Sequence, residues 1–130
     1  MSNRTAIMVV LNPSGRVLIQ HRTATAPWMP LHWDLPGGMV EEEETDQEAA
    51  IRETQEECGI TPTKVGKLGT VSDNVIAFIG HSNMSPQALP NANGVLEHDE
   101  FQWVTADTLS NYNIVPPALS AILIALGNQA

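Results

Sequence analysis

Apolar positions along this chain fall mostly in short continuous or alternating runs bounded by turn residues, the spacing of strands. Only two stretches carry the longer period of a helix. Thr5 to Leu11 and Arg16 to Arg22 are β-rich runs, and Asn12-Pro13-Ser14-Gly15 between them has the turn chemistry of a hairpin. A loop with Pro27 and Pro30 leads to a short strand at Trp33. Val65 to Ser72 and Val75 to His81 read as further strands, followed by a Pro/Asn/Gly-rich loop from Ser82 to Gly94. Phe101 to Thr105 reads as another strand, Ala106 to Ser110 as a helical turn, and Pro116 to Leu126 as a closing helix with proline in its first turn. No repeat and no second domain is visible, so residues 1–130 form one domain. Strands interleaved with two helices predict an α/β (α+β) sandwich.

The other helix is the best specified element. Thr45 can act as N-cap with Glu48 closing a capping box, Asp46 and Glu48 sit at the positive end of the dipole, and Gly59 ends the helix. Ala50, Ile51 and Cys58, with Thr54, form a narrow stripe to bury. Beside it Glu53, Glu56 and Glu57 recur at i, i+3 and i+4, within about 100° of arc on one face. Like charges so placed repel by a few tenths of a kcal/mol per pair, and a divalent cation is the agent that would offset them. The competing reading is an acidic surface that docks a basic partner.

Composition fits a small enzyme: 130 residues at 42% hydrophobic content bury a real core without disulfides. The single cysteine, Cys58, reads as a packed thiol and points to a reducing, cytoplasmic compartment. The early apolar run Ala6 to Leu11 is too short for a signal peptide or a membrane span. The net charge of −9 is local: residues 41 to 57 hold nine acids and Arg52, or −8, and the rest of the chain holds six acids and five bases, or −1. A phosphate substrate approaching such a segment needs cations to invert the potential, whereas no basic stripe exists to bind a long polynucleotide. No G-x4-G-K-[ST] loop is present, which removes a P-loop kinase or ATPase.

Gly38, Glu44, Arg52, Glu53, Thr54, Glu56, Glu57, Gly59 and Ile60 match G-x5-E-x7-R-E-U-x-E-E-x-G-U, where U is a bulky apolar residue, and Trp33-Asp34-Leu35-Pro36-Gly37 leads into it. The chain thus resembles the Nudix hydrolases, departing from their pattern at Thr54, where an aliphatic residue is usual. The resemblance implies the Nudix fold, a mixed sheet between helices, and Mg2+-dependent hydrolysis (Mn2+ a possible substitute) of a nucleoside diphosphate linked to another group. By position Glu56 and Glu57 would be primary metal ligands, the Gly37 carbonyl a third contact, and Glu53 a ligand or the general base. Arg52 and Glu44 would orient this cluster through a salt bridge. Glu97, in an acidic stretch before a tryptophan-containing strand, is the match for a further metal ligand, and Arg22 for a phosphate contact.

Around these stand residues of lower information. His21, His32, His81 and His98 share no metal-ligand spacing, and His21 is the one to place near substrate. Trp28, Trp33, Phe78 and Tyr112 could stack on a base, although Trp33 and Phe78 read as core. Pro116-Pro117-Ala118-Leu119 is similar to the P-P-A-N segment of MutT-like members, but Leu119 cannot make the hydrogen bonds of that asparagine. This argues against an oxidised nucleotide unless Asn111 or Asn113 substitutes. A nucleoside triphosphate or a nucleotide sugar is the expected substrate of a monomer or homodimer, with a non-catalytic nucleotide-binding module as the alternative.

Overall fold

The computed structural model describes residues 3–127. Its spine is β1 (Thr5–Leu11), whose residues from Ala6 onward are buried, because both of its faces are covered. Ile7, Val9 and Leu11 face one core with Ala118, Ala121, Ile122 and Ala125 of the closing helix, while Ala6, Met8 and Val10 face a second core with Ala49, Ala50 and Cys58. The chain is therefore a helix–sheet–helix sandwich in which one strand alternates between two apolar layers, as predicted.

β2 (Val17–Arg22) follows the turn in which Asn12 Oδ1 accepts from the Ser14 and Arg16 amides at 3.0 and 2.9 Å. The expected hairpin exists only at that end, where Leu11 pairs with Val17. Beyond it the strands splay, and the segment carrying β3 (Trp33–Asp34) and β4 (Gly37–Met39) enters between them. β3 pairs antiparallel with β2 through Gln20 and His21, and β4 pairs antiparallel with β1 from Thr5 to Ile7. Met8 N donates to Pro36 O at 2.9 Å, and Leu35 and Pro36 are buried. Burial of this apolar wedge and its two sets of backbone bonds outweighs the local pairing that a zipped hairpin would give.

Helix α1 (Asp46–Cys58) is capped as its sequence predicts. Glu48 N donates to Thr45 Oγ1 at 3.1 Å, Thr45 N donates to Glu48 Oε1 at 2.9 Å, and Gly59 takes the left-handed φ of 75° that ends the helix. The buried face is Ala49, Ala50, Thr54 and Cys58, whereas Ile51, expected on it, is only half-buried. Thr54 replaces a bulkier apolar residue at little cost, since its hydroxyl donates to Ala50 O at 2.7 Å.

β5 (Thr63–Ser72) pairs antiparallel with β6 (Val75–His81), which lies parallel to β1 in continuous register from Thr5–Val75 to Leu11–His81. β7 (His98–Val104) runs antiparallel to β2 and begins three residues before the expected strand, because His98 and Glu100 find partners at Arg22 and His21. A short 3-10 helix (Ala106–Asn111) and α2 (Pro116–Gly127) close the chain. No helix among the described residues is long and apolar enough to cross a membrane.

Candidate active site

The glutamate face of α1 looks onto the splay between β1 and β2. Glu53, Glu56 and Glu57 line a small cleft of about 70 Å3 with Glu97 and His98 from the start of β7 and with Leu89, Pro90 and Asn91 from the preceding loop. That loop is tied back to the helix end by Gln87 N donating to Cys58 O at 3.0 Å. The five positions expected to hold a cation meet here or at its edge: Glu53, Glu56, Glu57 and Glu97 line the cleft, and Gly37, through its N rather than the expected carbonyl, lies 3.4 Å from Glu57 Oε1. Arg52 and Glu44, expected to orient them, stand behind it.

Arg52 is the hub of the acidic segment. Its Nε donates to Glu44 Oε2 at 2.7 Å, Nη2 to Glu44 Oε1 and Met39 O, both at 3.1 Å, and Nη1 to Glu53 Oε1 at 2.9 Å and to Glu56 Oε1 at 3.2 Å. One planar guanidinium thus fixes two glutamates of the cleft against the loop that carries Glu44. These bonds raise the arginine further above its ordinary range, the Glu44 bond first among them, and the same bond holds the Glu44 carboxyl below its usual value.

Glu57 is in the opposite condition. Burial pushes its carboxyl well above the usual carboxylate range, a hydrogen bond from Gln20 opposes that, and contact with Glu53 and the charge of Asp34 push it further. The residue as a whole is half-buried and lines the cleft. A positive charge in the cleft would relieve the cost of ionising a carboxyl so placed.

Glycine is required where β4 passes this pair. A Cβ on Gly38 would lie 2.5 Å from Glu53 Cδ and 2.7 Å from both of its carboxylate oxygens, and one on Gly37 would lie 2.5 Å from Ala6 O. The Gly37-Gly38 step lets backbone come directly against the Glu53 carboxylate.

A second, larger cleft of about 310 Å3 is lined by Gly37 and Asp34, which contact Glu57 and His98 of the first. Its walls are apolar on the side of Ile7, Leu35, Val75, Val115 and Ala118, and charged at Arg22 and Asp34. Arg22 Nη1 donates to Asp34 Oδ2 at 2.8 Å, Nε donates to Trp28 O at 2.5 Å, and the guanidinium stands 5.4 Å from the Trp28 ring centroid. Trp28 is half exposed at the rim, on a loop where Met29 and Leu31 both take left-handed backbone conformations. His21 lies apart from both clefts, its Nδ1 2.7 Å from Asp99 Oδ1 and its ring against Trp33, itself half-buried and edge-on to Tyr112. Leu119 and Asn113 line a different groove, beside Leu123, so neither reaches the larger cleft.

Three residues that join the clefts are not among the expected site residues. Gln20 Nε2 donates to Glu57 Oε1 at 2.8 Å and lies 3.0 Å from His98 Nε2, which lies 3.1 Å from Asp34 Oδ1. The visible signal for one of them is a glutamine directly after Val17-Leu18-Ile19, at a position the strand buries completely. His98, expected at the surface or hydrogen-bonded, is buried and hydrogen-bonded. Cys58 is also fully buried; desolvation pushes its thiol up to about 12, and its Sγ lies 3.3 Å from Thr54 O, which makes it packing rather than a nucleophile.

Among the described residues no three histidine, cysteine, aspartate or glutamate side chains converge as a finished ligand set, since Glu53 and Glu56 are turned to Arg52. The donors nonetheless fit a hard divalent cation: four carboxylates border one cleft, Arg52 is bound to Glu53 and Glu56 among them, and burial disfavours the Glu57 anion unless a positive charge is present.

The sequence profile of the NUDIX domain matches residues 1–122. A CTP pyrophosphohydrolase of Escherichia coli (strain K12) is 27% identical over 90% of this chain and 89% of its own length. A putative 8-oxo-dGTP diphosphatase of Bacillus subtilis (strain 168) is 41% identical over 53% of this chain, a match spanning 43% of that relative. Among solved structures, a MutT protein from Methanosarcina mazei Go1 aligns with a TM-score of 0.75 at 25% identity, covering 97% of this chain and 94% of the other. The NUDIX domain of Shewanella oneidensis NrtR complexed with ADP ribose shares the fold at 17% identity, with a TM-score of 0.73 and coverage of 100% and 90%.

Proposed function

This chain belongs to the Nudix family, whose hydrolases act on phosphoanhydride bonds, and on that premise we propose that it is a Mg2+-dependent pyrophosphohydrolase of a small nucleotide. A nucleoside triphosphate or a nucleotide sugar is the substrate class. The observation that carries the reading is the convergence of Glu53, Glu56, Glu57 and Glu97 on one small cleft, a group of acids that a cation would stabilise. Family members generally depend on a divalent metal, and the relatives named above support a nucleotide.

Glu56, Glu57 and Glu97 would hold Mg2+, with the Gly37 carbonyl and Glu53 as further candidates. When bound, the ion polarises the phosphoryl oxygens and screens charge that develops on the leaving phosphate. The chain's own part is positioning. The apolar walls of the larger cleft take the nucleoside, and Arg22 at its edge meets a phosphate, exchanging part of its bond to Asp34 for a charge-assisted bond to substrate. Water attacks phosphorus, the bridging P–O bond breaks, and Glu53, held by Arg52, is placed to take the proton. Glu44 acts through Arg52 and not on the substrate. His21, expected near substrate, stands apart from both clefts against Asp99 and Trp33 and is given no part in the reaction.

The test is a screen for phosphate and pyrophosphate release from nucleoside triphosphates, nucleotide sugars, dinucleoside polyphosphates and ADP-ribose, with and without Mg2+, against Glu57→Gln. Metal-dependent turnover lost in the variant is the expected result. Nucleotide binding without turnover of any substrate would replace the reading with that of a binding module.

A further inference from the structure

Gln20 is fully buried in the middle of the sheet, and it is oriented at a visible cost. Its amide nitrogen faces Glu57 Oε1 and His98 Nε2, while its Oε1 is buried with no hydrogen-bond partner. A buried carbonyl left unpaired destabilises a fold, and an apolar residue of the same size would avoid that. Turned end for end, the amide would set its oxygen against the Glu57 carboxylate. The orientation is thus dictated by what lies at the site.

His98 stands next in line, and its Nε2 can accept from Gln20 in one tautomer or donate to Asp34 in the other. His98 Nε2 lies between Gln20 Nε2 at 3.0 Å and Asp34 Oδ1 at 3.1 Å, and Asp34 Oδ2 accepts from Arg22 Nη1 at 2.8 Å. Gln20 and Arg22 share one face of β2, Asp34 stands opposite Gln20 on β3, and His98 stands opposite Arg22 on β7. Three adjacent strands therefore carry a continuous polar line from the acidic cleft to the larger one.

We propose that Gln20 and His98 are positioning residues of the reaction, holding the Glu57 carboxylate in a fixed relation to Arg22 across the two clefts. The inference rests on the functional reading above and adds two side chains from outside the glutamate helix. Both donors near Glu57, the Gln20 amide and Gly37 N, address the same oxygen, Oε1, so the carboxylate is gripped by one end. Partners that orient a ligand in this way typically contribute 10–100-fold to metal affinity or activity.

Gln20→Met keeps the shape and removes the amide. The readouts are Mn2+ affinity of the nucleotide-free protein by electron paramagnetic resonance, a thermal melt in chelator, and kcat and KM with Mg2+ and a nucleoside triphosphate that the unaltered chain hydrolyses. The expected result is a cooperative melt, Mn2+ binding weakened about tenfold, and kcat lowered on the same order with KM changed less than about threefold. His98→Phe, which keeps a ring but not Nε2, shifts both quantities in the same direction, and His98→Gln, whose amide can meet Gln20 and Asp34 again, recovers most of the loss. The two His98 variants decide the matter if Gln20→Met does not fold. Folded variants with unaltered Mn2+ affinity and kcat, or no difference between His98→Phe and His98→Gln, overturn the inference and leave the hydrolase reading standing. An unaltered chain that neither binds Mn2+ nor turns over nucleotide overturns both.

Discussion

Gly38→Ala puts one methyl group against the Glu53 carboxylate. The added carbon would start 2.5 Å from Glu53 Cδ, whereas an uncompressed carbon–carbon contact needs about 3.5 Å, so the carboxyl must retreat by about 1 Å. Its path is not free. Glu53 Oε1 is bound to Arg52 Nη1 at 2.9 Å, and the same guanidinium is pinned to Glu44 and Met39 O. A shift of 1 Å breaks that bond or drags the hub with it. Overpacking of this kind costs about 1–3 kcal/mol, towards the lower end here because the group pushed is the end of a side chain and not backbone. Catalysis is less forgiving, since a 1 Å misplacement can cost about 100-fold. The expected outcome is a protein that still melts cooperatively, a few degrees lower, with kcat/KM for its nucleotide down about 100-fold in a pyrophosphate-release assay. Gly38→Ala with unaltered kcat/KM would refute the placement of Glu53 in the reaction; a chain that fails to fold would refute the claim that the carboxylate, not the backbone, absorbs the clash.

Two further outcomes follow from the same geometry. Arg52→Met strips Glu44, Glu53 and Glu56 of their shared partner and should lower kcat/KM by at least tenfold, the scale typical of groups that orient ligands. Because Glu44 sits below its usual value in the fold, it contributes stability above the ordinary glutamate value of 4.5 that is lost as pH falls towards its folded value; urea melts of Arg52→Met between pH 3 and 6 should therefore depend less on pH than those of the unaltered chain. Glu57→Gln should be inactive yet melt higher than the unaltered chain in chelator at pH 8. Its carboxyl is raised in the fold, so stability falls as pH rises from the unfolded value through the folded one, and glutamine carries no such charge. Equal melting temperatures in chelator at pH 8 would refute the buried-anion account.

The elements that could be read from sequence are those whose signals are local. Thr45 and Glu48 announce the start of α1, Gly59 its end, and the 53–56–57 spacing its exposed face, because caps and helical faces depend on residues within a turn or two. The Asn12–Gly15 turn was legible for the same reason, but the separation of β1 from β2 was not. It depends on Leu35 and Pro36 finding buried places between strands some twenty residues away, which no window along the chain contains. β4, with two glycines in three residues, has no strand propensity of its own and exists through its pairing with β1. The site divides the same way. The glutamates could be placed on one face from their spacing, whereas the link through Gln20, Asp34 and His98 depends on strand register, and a one-residue slip in either β3 or β7 would abolish it.

The wedge between β1 and β2 also bears on how the chain reaches this state. A hairpin closed by Asn12–Gly15 can form on a scale of about 1–10 μs, and nothing in the turn stops it from zipping to its ends. Fully zipped, it would occupy the edges of β1 and β2 that Gly37–Met39 and Trp33–Asp34 require. The native chain must therefore hold open a pairing that its own turn promotes, and the opened space is where Gly37 and Asp34 meet the two clefts. The candidate site lies at a conflict between a local pairing and a longer-range one, and apolar residues Leu35 and Pro36 hold the latter in place.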